Sequence, residues 1–114
     1  MTSVTQLIAA ATPHIPFSNE AAAHAFLNQY DVSDQAALIS ALYIGRDHIH
    51  NSSMQPNYVP NGIPFDRYFH TGNAPKWLII PSEFAGILYR MNTNASTYYS
   101  AFLRCVPPSA IASY

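Results

Sequence analysis

The chain has 114 residues, of which 49% are hydrophobic, and its formal net charge is −1. That length holds one core, and charged residues at only 10% exclude a disordered acidic or basic tail. The few cations are scattered at Arg46, Arg67, Lys76, Arg90 and Arg104. They form no basic stripe, so neither nucleic acid nor a membrane surface is expected as a partner.

The single cysteine, Cys105, excludes an intramolecular disulfide and reads as a small buried hydrophobe. No positive n-region opens the chain, and Leu7 to Ala11 is its only early apolar run. A signal peptide is therefore not expected, and the sequence reads as cytoplasmic. Asn51-Ser52-Ser53 and Asn94-Ala95-Ser96 match the glycosylation triplet, but without a secretory signal both read as chance matches.

In chain order, Val4, Leu7, Ile8 and Ala11 recur at helical spacing between Ser3 and Thr12. Pro13 and Pro16 end that helix. Ser18 predicts the cap of a second helix, with Glu20 in its first turn and Phe17 stapled onto Ala22. Its expected inner face is Ala22, Ala25, Phe26 and Gln29. Tyr30 to Val32 is a turn short enough to predict an antiparallel helix hairpin.

The third helix, Ser33 to His50, organises the chain. Leu38, Leu42, Gly45 and Ile49 line one face, and Ile39, Tyr43 and Arg46 widen it, as in a central helix. Ser33 is the expected cap, and Asp34 places negative charge at the positive end of the dipole.

From Asn51 to Pro75 the periodicity vanishes. Prolines, glycines and asparagines punctuate the run, and Asn61-Gly62 signals a tight turn. A loop of about twenty-five residues is commonly functional or disordered. Tyr58, Val59, Ile63, Phe65, Tyr68 and Phe69 carry apolar area to bury, so an ordered excursion is expected, with one helical turn over 66–70.

Asn73 to Ile80 reads as a helical turn capped by Asn73, with a short buried strand as the alternative for 77–80. Pro81 to Glu83 opens a further helix, with Phe84, Ile87, Leu88 and Met91 facing in. The last helix spans about Ala95 to Cys105, with Tyr98, Phe102 and Cys105 in register. The fold class is thus mostly α: one domain over 1–114, built as a compact bundle of about five helices with one long ordered Pro/Asn/aromatic loop at 51–75. A flexible tail is expected over 106–114.

Ala37 to Asp47, ending Ile44-Gly45-Arg46-Asp47, resembles a motif in a family of small bacterial helical proteins of unknown function. In that family an aliphatic helix ends in Ile-Gly-Arg followed by Gly or Asp. Trp77-Leu78-Ile79-Ile80-Pro81 to Leu88 is similar in spirit to its next helices. The resemblance implies a helical fold and no known activity, and this chain departs from it in its low charge and its long loop.

Three groups are candidates for function. His48 and His50 with Asp66 and His70 have the residue types of a metal site, since Asp66 and His70 share one face of a helical turn. The alternative is that the histidines simply end a helix beside its carbonyls. Arg46–Asp47 and Asp66–Arg67 are candidate ion pairs, with ligand-gripping arginines as the functional alternative. Tyr58, Phe65, Tyr68, Phe69 and Trp77 among Asn and Pro have the composition of a recognition surface, or complete a small core. No triad-like context surrounds Ser82 or Ser96.

The expected function is a non-enzymatic binding or regulatory domain that engages a protein partner or its own copy, in the manner of a bacterial immunity or inhibitor protein, with no cofactor. Its expected binding residues are Arg46, Asp47, His48, His50, Tyr58, Phe65, Asp66, Arg67, Tyr68, His70 and Trp77. The competing expectation is a metal-dependent hydrolase or small-ligand protein built on His48, His50, Asp66 and His70.

Overall fold

The hydrophobic periodicity becomes six helices in the structure, a computed structural model that describes residues 2–111. They are α1 (Val4–Ala11), α2 (Glu20–Leu27), α3 (Val32–Arg46), α4 (Phe84–Arg90), α5 (Ala95–Cys105) and α6 (Pro108–Ile111), with 3-10 turns at Thr12–His14 and Pro81–Glu83. No strand occurs among the described residues, and an irregular segment runs from 47 to 80. The fold is the expected mostly helical bundle with one long loop.

α3 is the axis. Ala36 to Leu42, Ile44 and Gly45 are all buried, because α5, α1 and the loop cover it from different sides. α5 lies closest. A Cβ on Gly45 would stand 2.6 Å from the Tyr98 carbonyl carbon and closer still to its oxygen. Tyr99, buried on the same helix, donates its hydroxyl to the Leu38 carbonyl at 3.1 Å. Only glycine permits this approach of two backbones.

Several local expectations are corrected. Asp31, not Ser33, caps α3 and accepts from the Asp34 amide at 2.9 Å, while Ser33 Oγ accepts from Arg67 instead. Asn19, not Ser18, caps α2. The buried face of α2 is Ala23, Phe26 and Leu27. Phe26 and Leu27 carry far more apolar area than alanines, so the helix rotates them inward. α2 packs chiefly on α4 and does not fold back along α3 as a hairpin. In α5 the buried tyrosine is Tyr99, and Tyr98 sits at the rim.

α3 also stops at Arg46 rather than running to His50. Beyond it, Arg104 donates to the carbonyls of Asn51, His48 and Ile49 at 2.9, 3.3 and 3.2 Å, a cation on the carbonyl-rich end of the helix. Cys105 is buried beside the same carbonyls. Residues expected to begin a tail are packed: Val106 is buried, and Ala110 and Ile111 rest on the core. The rest of that expected tail, 112–114, lies outside the described residues.

Gly45→Ala is expected to lower stability by about 1–3 kcal/mol or more, since neither backbone can yield without moving a helix. Gly86→Ala in α4 meets only the flexible ends of Glu20 and Arg90 and gains helix propensity. Urea denaturation of the two variants should therefore move in opposite directions, or leave Gly86→Ala unchanged.

Candidate functional site

The loop is held on α3 at three heights. At the N-terminal end, Arg67 Nη1 donates to Asp34 Oδ1 at 2.6 Å and to Ser33 Oγ at 3.1 Å, and Nη2 donates to the Thr2 carbonyl at 2.9 Å. Both members of this ion pair are buried. The Thr2 amide also donates to Asp34 Oδ1, at 3.2 Å. Burial pushes the Asp34 carboxyl up, but the hydrogen bonds from Arg67 and Thr2 and the Arg67 charge outweigh it and hold the group below its ordinary 3.8. Arg67 therefore pairs with Asp34, not with its neighbour Asp66, whose Oδ1 accepts from the Tyr68 amide.

At mid-height, the buried Ser40 Oγ donates to the Arg67 carbonyl at 2.8 Å and accepts from the His70 amide at 3.3 Å. One hydroxyl thus satisfies two loop backbone groups. Ser40 was not among the expected site residues. The available signal was a hydroxyl inside a stretch that is otherwise apolar, since a buried serine needs a partner.

At the C-terminal end, the Tyr58 hydroxyl lies 2.7 Å from Asp47 Oδ2 and 2.9 Å from His70 Nε2. A carboxylate only accepts, so the phenol proton points to Asp47 and His70 Nε2–H donates to the phenol oxygen. Burial and the Asp47 carboxylate push the Tyr58 hydroxyl well above its ordinary value. Burial, with a smaller contribution from Arg46, draws His70 below its ordinary 6.5 against the pull of Asp47. Among the described residues the Tyr58 hydroxyl is the one side-chain hydroxyl bonded to the His70 ring.

The remaining expected residues divide. Phe65 meets Phe69 edge-on at 5.1 Å, and Phe69 stacks on Tyr58 at 5.8 Å. Tyr68 meets Trp77 edge-on, and Trp77 meets Phe84 of the core. Arg46 lies over the Tyr43 ring at 4.8 Å instead of pairing with Asp47. His48 is fully buried. Its Nε2 accepts from the Gln55 amide at 3.1 Å, so Nδ1 carries the proton donated to the Ile44 carbonyl at 2.8 Å. Neither nitrogen is left for a metal, and His50 faces solvent. Among the described residues no three His, Cys, Asp or Glu side chains converge on one point. The expected turn over 66–70 forms, closed by the Phe69 amide on the Asp66 carbonyl at 3.0 Å, and the Asn73 carbonyl accepts from the Lys76 amide at 2.8 Å, but neither grows into a helix. The stretch 77–80 is neither helix nor strand, because the Thr71 carbonyl accepts from both Leu78 and Ile79.

Two hollows open beside this loop. One, of about 270 Å³, is lined by Ile63, Pro64, Asp66, Tyr68, Phe69, Gly72 and Asn73. The other, of about 300 Å³, lies where α2 ends and α3 begins and includes Val32, Pro81 and Ser82. Leu78 packs beside Gly72, so the segment 78–81 leads from the first hollow to the second. No helix among the described residues is long and apolar enough to cross a membrane.

Arg67→Met leaves the Asp34 carboxylate buried and unpaired and is expected to cost about 3–5 kcal/mol. Adding Asp34→Leu should restore part of that loss, a coupling read by a double-mutant cycle in urea. For His70, the depressed folded-state value means that its stabilising contribution is complete above pH 6.5 and is lost as pH falls through the window below it. The melting temperature of the parent should drop across that window more steeply than that of His70→Gln. Comparison with protein-family models, curated proteins and solved structures gave no match.

Proposed function

We propose that the protein is a non-enzymatic binding module that engages a protein, either a partner or a second copy of this chain, on the outer face of its long loop. One observation carries this reading. Among the described residues the three most exposed large apolar side chains, Leu78 at 78%, Ile63 at 51% and Ile80 at 50%, all stand on the loop, near the two hollows. Exposed apolar side chains grouped on one segment mark interaction sites.

The loop's backbone is already tied to α3 by Arg67, Ser40 and Tyr58. Binding there would order little further chain, which lowers the entropic cost of association. A net charge of −1 also leaves little repulsion between copies. An immunity- or inhibitor-type protein is one form that such a module takes.

A photo-crosslinking residue in place of Leu78 tests this in living cells. A covalent adduct with another protein, or with the chain itself, is the expected product. Leu78→Asp or Ile80→Asp should weaken it at an unchanged melting temperature, because both side chains are exposed. Absence of any protein adduct, with efficient incorporation, would sink the proposal.

A further inference from the structure

We propose that Asn61 is a site of spontaneous covalent modification, in which its side-chain amide is lost and an aspartate or isoaspartate takes its place. Asn61 is the one asparagine in the chain followed by glycine. Pro60 to Ile63 forms a tight turn closed by the Ile63 amide on the Pro60 carbonyl at 3.2 Å. Both central residues are exposed. Gly62 has φ +83, and nothing stands within 4 Å of where its Cβ would be.

Neither the Asn61 side chain nor the Gly62 amide makes a hydrogen bond among the described residues, so both reacting groups are unpartnered and reachable by water. Two other asparagines are held in place. Asn92 makes two 2.6 Å hydrogen bonds to the Phe17 backbone, and Asn19 caps α2 through its side-chain oxygen.

The step balances without a cofactor. The Gly62 main-chain nitrogen loses its proton to hydroxide and forms a bond to Asn61 Cγ. The Cγ–Nδ2 bond breaks, and the nitrogen leaves as ammonia after taking a proton from water. Water then opens the resulting five-membered imide at either carbonyl, giving aspartate or isoaspartate. The product places one new negative charge next to Ile63, on the lip of the aromatic hollow.

The test is ageing of the purified full chain at mildly alkaline pH, followed by fragmentation of the tryptic peptide 47–67 in a mass spectrometer. Loss of amide at Asn61 ahead of every other asparagine, with isoaspartate at that position and no loss at that position in Asn61→Gln, is the expected result. A parallel sample in urea supplies the contrast. If the unfolded chain loses the Asn61 amide while the folded protein keeps it, the turn protects the residue and the proposal is overturned. Faster loss at another asparagine of the folded protein would overturn it as well.

Discussion

The buried pair between Arg67 and Asp34 is the constraint on which the arrangement of this protein depends. It joins the N-terminal residues, the first turn of α3 and the middle of a long irregular segment at one point. Burying two charges is expensive, and the attraction between them roughly offsets that cost when the geometry is good. The pair is therefore better understood as choosing one placement of the loop than as a large source of stability. Misplacing the loop would strand a carboxylate and a guanidinium in the interior of a chain with few other charges to meet them.

The remaining attachments follow from that placement. With Arg67 docked, its own carbonyl reaches the Ser40 hydroxyl, and the His70 amide reaches the same oxygen from the other side. His70 then meets Tyr58, which in turn meets Asp47 at the far end of α3. The loop is held by a few strong polar contacts, while its aromatics pack sideways on one another and on the core. The bonds that Thr71 accepts from Leu78 and Ile79 turn the next segment outward, which leaves Leu78 and Ile80 in solvent. The exposed apolar ridge is thus a consequence of how the loop is anchored.

Periodicity located the helices well. α1 and α5 have the expected bounds, and Phe84, Ile87 and Leu88 face in as expected. Caps moved by one or two residues, because Asp31 and Ser33 are both competent and the choice fell to Arg67, which occupies the Ser33 hydroxyl. Residue types at the candidate site were legible, but partners were not. Arg67 was expected beside Asp66, yet a side chain on a turn reaches across space more readily than along the chain. His48 looked like an available ligand but is consumed by backbone groups of Ile44 and Gln55.

By itself the sequence determined that α3 is central, that the domain is helical, and that the proline-rich excursion carries enough aromatic area to pack. These are local properties: spacing, propensity and composition act over a few residues and need no knowledge of distant partners. Tertiary structure alone decided that Arg67 meets Asp34, that Ser40 takes two loop backbone groups, and that Gly45 lets α5 touch α3. Those outcomes depend on which surfaces meet, and contacts between positions tens of residues apart leave no periodic trace in a single chain.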